Sequence, residues 1–179
     1  MLVAGRLGDA DALSVMREAL SSKEDDLKRA AILSLSEWPT PTPLDDLENV
    51  AKTAKESAHR VLGLRGYIRL LGLESDRPKA ETVAKYKNAL DMAEEISEKR
   101  MALSGLAEVQ SSDAMFLAAE YLNDPDLKGE AEIAVLGNAW RGRGGDAAKR
   151  KAIIRQVYEN TADDRIKSGA KELLDSMDQ

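Results

Sequence analysis

The side chains that most often do chemistry in proteins are scarce in this sequence. Its 179 residues include a single histidine, His59, and no cysteine. Histidine-centred zinc or iron sites, His-based triads and thiolate nucleophiles therefore lack their raw material. His59 falls near the start of a helical segment, where a polar surface or capping role is expected. Carboxylates are plentiful, and the clusters Glu24-Asp25-Asp26, Asp45-Asp46, Glu94-Glu95 and Asp163-Asp164 could serve as acid–base pairs. All of them lie at or near helix starts or turns, where acids complement the positive end of the helix dipole, so capping is the expected role. Asp124-Pro125-Asp126-Leu127-Lys128-Gly129 begins like a calcium loop. Proline and lysine interrupt it, and Val135 stands where the bidentate acid belongs. These residues predict no catalytic, cofactor or metal site.

The basic residues are more informative. Arg29, Arg60 and Arg100 each fall where a second helix of a pair begins. They would either pair with acids of the adjoining helix pair as a structural ladder or hold an anionic partner, and the ladder is favoured. Arg65 and Arg69, at i and i+4, share one helix face away from Val61, Leu64, Ile68 and Leu71, which makes them candidates for a partner surface. Trp140-Arg141-Gly142-Arg143-Gly144-Gly145 has the look of an arginine-glycine nucleic-acid segment but is one loop long. Trp140, Arg141 and Arg143 join the candidate surface, while the glycines also suit a helix C-terminus. With 26 Lys+Arg against 32 Asp+Glu and a net charge of −6, the chain is not built mainly to hold nucleic acid.

The elements that would carry these residues are helices. Aromatic residues make up only 4% and the apolar content is largely Ala and Leu, a composition suited to closely spaced helices. Apolar residues recur at helical spacing, and no segment alternates convincingly with period two. Ten helices are expected. The first opens at Asp9 to Asp11 and ends near Leu20; the second runs from Asp25 to Trp38. Pro39-Thr40-Pro41-Thr42-Pro43 then breaks the helical path, because each proline turns its predecessor away from α geometry. Later helices are expected from Leu44 to Lys55, Ser57 to Leu71, Pro78 to Glu94 and Ser97 to Val109. Four more follow: Ser111 to Leu122, a segment after Pro125 to Trp140, Asp146 to Asn160, and Asp163 to Met177. No run approaches the ~20 apolar residues of a membrane span.

These helices repeat. Leu7-Gly8-Asp9-Ala10-Asp11-Ala12-Leu13 parallels Val109-Gln110-Ser111-Ser112-Asp113-Ala114-Met115 at three times a unit of about 34 residues. Second helices open with acids, then a base, then small and aliphatic residues, as in Asp26-Leu27-Lys28-Arg29-Ala30-Ala31 and Glu98-Lys99-Arg100-Met101-Ala102. The expectation is an all-α α-α superhelix of about five pairs in one domain: 9–38, 44–72, 78–109, 111–140 and 146–177. Residues 1–8 would be the remnant of a preceding repeat in a longer protein. One helix pair cannot bury its own apolar face, and stacking supplies the missing partner. Ala30, Ala31, Gly63, Gly66, Ala102 and Gly105 would let the second helices approach closely.

The unit length, the paired helices and the acidic-then-basic opening of the second helix resemble HEAT repeats over the whole chain. Arg65-Gly66-Tyr67-Ile68-Arg69-Leu70-Leu71-Gly72 and Lys99-Arg100-Met101-Ala102-Leu103-Ser104-Gly105-Leu106 are similar to a bacterial HEAT-like domain of large secreted or envelope proteins. That resemblance implies a non-catalytic protein–protein interaction scaffold in an extracytoplasmic setting, bound to a protein partner or to neighbouring domains of its own chain. In HEAT solenoids the second helices line the partner-facing side, which would place Arg65 and Arg69 there. Two other readings come with it. Some HEAT-like proteins are DNA-repair glycosylases with a basic cleft carrying Trp, Asp and Arg, for which Trp38 and Trp140 are the tryptophans available. The other is a carbohydrate-binding accessory domain beside a sugar hydrolase, which needs exposed aromatics, and the chain has only two Trp, four Tyr and one Phe.

Overall fold

The computed structural model describes residues 10–141 and 144–178. The expected repeat remnant at residues 1–8 lies outside them, as does Arg143. Among the described residues the chain is all-α, with ten helices and no strand. They are α1 (Ala10–Leu20), α2 (Asp25–Ser36), α3 (Leu44–Thr53), α4 (Ser57–Leu71) and α5 (Lys79–Met92). Then come α6 (Ile96–Leu106), α7 (Ser112–Ala119), α8 (Lys128–Arg141), α9 (Ala147–Asn160) and α10 (Asp164–Met177). Several helices stop short of the ends expected from apolar periodicity. The last expected residues of α2 and α7, for example, are turns that keep an apolar side chain inward, as the buried Trp38 and Leu122 do.

Two compact units form: Met1–Asp76 with Asp91–Glu98, and Arg77–Leu90 with Lys99–Gln179. This division runs through the third of the expected pairs. In the first unit α1 packs on α2, α3 on α4, and α2 on α4. Met16, Ile32, Leu35, Leu47, Tyr67 and Leu70 fill its core. In the second unit α7 packs on α8, α9 on α10, and α8 on α10. Leu103, Leu106, Met115, Leu127, Val135 and Ile154 are wholly buried there. Each such side chain contributes about 1.5–3 kcal/mol when removed from water. Within each unit, consecutive pairs and stacked second helices follow the packing of an α-α superhelix.

Close approach depends on missing side chains. A Cβ on Gly66 in α4 would meet the side chains of Ser36 and Leu47, and one on Gly105 in α6 would meet the ring of Tyr86. Glycine within a helix costs about 0.8–1 kcal/mol relative to alanine, and the tight contact offsets it.

Side-chain bonds join successive pairs at separations of about one repeat. The Arg17 guanidinium grips Asp46 through both carboxylate oxygens, 29 residues on. Lys79 donates to the carbonyl of Gln110, 31 residues on, and Lys128 to that of Asn160, 32 residues on. Thr161 donates to the buried Glu132, 29 residues back. The period seen in the sequence is thus also the period of the polar contacts.

Candidate interaction surface

The three arginines expected to form a ladder divide. Arg60 lies near the start of α4. It donates from Nη1 to the carbonyls of Ala54 and Lys55 at 3.2 and 3.1 Å, and its Nη2 stands 3.6 Å from Glu94. Arg100 in α6 donates to the Asp126 carbonyl at 3.1 and 2.8 Å, with Glu130 at 3.5 Å. Both reach into the following pair. Arg29 on α2 is exposed and has no ion-pair partner among the described residues.

Arg65 and Arg69, expected to face a partner, have partners inside the chain. Arg65 holds Oε1 of Glu98 at 2.7 and 2.8 Å. Glu98 is only 1% exposed, takes a further bond from Ser97, and has an Oε2 with no hydrogen-bond partner among the described residues. Arg69 donates from one nitrogen to the carbonyls of Ser36 and Trp38 at 2.9 and 3.0 Å. A cation there satisfies carbonyls at the end of α2 that have no partner within the helix, and it complements the negative end of that helix's dipole. Both arginines remain exposed while bonding within the chain, Arg69 to the end of α2 and Arg65 to Glu98 of α6.

His59 also departs from its expected surface position: it is buried, with 3% exposure, and its Nε2 is 3.6 Å from Asp25. The cause is helical register. His59, Gly63, Gly66, Tyr67 and Leu70 all lie on the buried stripe of α4. Trp38 is 1% exposed and therefore cannot stack on a ligand.

Trp140 is different. It is 53% exposed near the end of α8, and Ile133, seven residues earlier on the same helical face, is 56% exposed. Ile133 carries no signal of this in the sequence, because an aliphatic residue at helical spacing is ordinarily core. Met101 on α6, exposed as well, precedes Ile133 by the same 32 residues that separate the bonded pair Leu106 and Asn138. Arg141 is the last residue of α8. Beyond it, Gly144 and Gly145 take positive φ of 109° and 72°, and Ser112 holds the Gly144 carbonyl at 2.6 Å. The glycines thus serve the turn between α8 and α9.

Among the described residues no group of three His, Asp or Glu side chains could hold a metal ion, and no helix is long and apolar enough to cross a membrane. No family model and no curated protein matches the chain.

Proposed function

We propose that this chain is a HEAT-type, non-catalytic scaffold, a protein–protein interaction module within a larger bacterial protein. The observation that carries the reading is the pair Ile133 and Trp140, two large apolar side chains left half in water on one face of a second helix. Exposed aromatic and aliphatic anchors of this kind are what protein interfaces bury at their centres. Paired helices stacked through polar joints supply the rigid backing such anchors need. A protein partner, or a neighbouring domain of the same polypeptide, covers this ridge.

The test compares the native chain with an Ile133→Asp, Trp140→Asp variant as immobilised baits, with identical far-UV spectra required of both. A partner retained by the native chain, lost by the variant and rebinding in purified form supports the scaffold. An identical set of captured proteins on both baits refutes the role of this ridge.

A further inference from the structure

The edge of the first unit where α1 and α2 turn toward α3 and α4 contains a cleft of about 740 Å³. Its charged lining is unevenly paired. Arg17 and Asp46 neutralise one another through the two-oxygen grip described above. Asp25 stands beside His59, which lines the cleft yet is almost wholly buried. Three cations are left over. Lys23, Lys28 and Lys55 all border the cleft, and none has a salt-bridge or hydrogen-bond partner for its ammonium among the described residues. Against them stand two carboxylates, Asp25 and Glu56, so the lining keeps an excess of one positive charge. Asn49 and Thr53 add polar groups to the α3 wall.

Such a concentration is out of keeping with the chain's net charge of −6. Several basic residues elsewhere have bonded partners: Lys52 with Glu48, Arg65 with Glu98, Lys128 with a carbonyl, Lys171 with Asp175. Three lysine ammonium groups without bonded partners, outnumbering the remaining carboxylates around one concavity, raise the local concentration of anions, and the low-dielectric walls strengthen the effect. Lysine offers a compact, mobile charge that adapts to a tetrahedral or planar oxyanion without fixed geometry.

We infer that this cleft is an oxyanion-binding site in which Lys23, Lys28 and Lys55 surround the anion above His59. The ligand is a sulfate-, phosphate- or carboxylate-bearing group, either a free small anion or the acidic side chains of a bound peptide. The site is independent of the Ile133–Trp140 ridge, which belongs to the other unit, so either can fail alone.

His59 makes the test clean, because the only histidine in the chain gives a single set of imidazole proton signals. Sulfate is added at constant pH, with sodium chloride at matched ionic strength as the control. The expected result is a saturable shift of the His59 signals with sulfate and none with chloride. Lys23→Gln, Lys28→Gln and Lys55→Gln together should weaken sulfate binding about tenfold, equivalent to ~1.4 kcal/mol. Lys149→Gln, outside the cleft, should leave it unchanged. A tetraglutamate peptide that displaces sulfate identifies a peptide source for the anion; sulfate binding untouched by the peptide identifies a small free anion. Shifts equal in sulfate and chloride, or sulfate binding unaltered by the triple substitution, overturn the proposal.

Discussion

The side-chain amide of Asn138 donates to the carbonyl of Leu106 at 2.9 Å, and its oxygen accepts from the backbone N–H of Ser111 at 3.0 Å. One fully buried side chain on α8 therefore closes both the end of α6 and the start of α7. It makes a further bond to the Ala134 carbonyl, one turn back in its own helix. Asn138→Ala leaves the Ser111 N–H without its partner, at about 1–3 kcal/mol, and removes the bonds to the Leu106 and Ala134 carbonyls, of which Leu106 keeps the Val109 N–H. The expected loss is about 3 kcal/mol in urea unfolding followed by circular dichroism. Faster hydrogen exchange at the Ser111 amide would locate the damage, and an unchanged urea midpoint would contradict the role assigned to Asn138.

Two glycines should respond oppositely to the same substitution. Gly66→Ala forces a methyl group against Ser36 and Leu47 at the α2–α4 contact, and overpacking of this kind costs about 1–3 kcal/mol. Gly129 lies in the first turn of α8, and an added methyl group there would meet nothing within 4 Å. Gly129→Ala should stabilise by up to about 1 kcal/mol through helix propensity and the loss of unfolded-chain freedom. Thermal unfolding of the two variants distinguishes them by the sign of the shift in Tm.

Arg69→Met keeps most of the aliphatic stem and removes the donor to the Ser36 and Trp38 carbonyls. Two charge-assisted bonds are lost at a part-buried site, and the expected cost is about 2 kcal/mol. Arg69→Lys should recover only part of it, because an ammonium lacks the planar spread of the guanidinium. Equal stability of the methionine variant and the native chain would show that the two bonds contribute nothing.

Tyr86 predicts an alkaline limit. Its hydroxyl is buried with no hydrogen-bond partner among the described residues, and burial pushes its pKa up to about 12, with the charge of Arg77 opposing the rise. A folded-state pKa above that of the unfolded chain means that the folded form holds its proton longer. The associated stability is complete below about pH 10 and is lost as pH rises from about 10 through 12, by about 2–3 kcal/mol. Tyr86→Phe should remove that part of the pH dependence and cost little at neutral pH, since the hydroxyl has no bond to lose. Urea midpoints across this range provide the check, and a native-like alkaline decline in the phenylalanine variant would exclude Tyr86 as its origin.

Helix pairing was legible in the sequence because each pair repeats the same local signals: proline or acid at the start, small residues at the close contacts, apolar residues at helical spacing. Helix ends were less so. Trp38 and Leu122 continue the apolar period past the last helical turn, since a side chain in a turn can still point inward. The interaction surface was the least legible. Arg65 and Arg69 lie on an exposed polar strip of α4, and only the position of α2 and of Glu98 reveals that both also bond within the chain. Ile133 is the converse case: nothing in its type or spacing separates an aliphatic residue that meets a neighbour from one that meets water.

Several of the joints between pairs end on a main-chain oxygen. Arg69 reaches Ser36 and Trp38, Arg100 reaches Asp126, Lys79 reaches Gln110, Lys128 reaches Asn160 and Asn138 reaches Leu106. A carbonyl is the same group whichever residue carries it. At each of these joints only the donor is constrained in identity, while the receiving position is free to change its side chain without loosening the bond. Such a protein tolerates extensive sequence drift while keeping its architecture. Its ancestry is then better preserved in the spacing of its donors than in any string of residues.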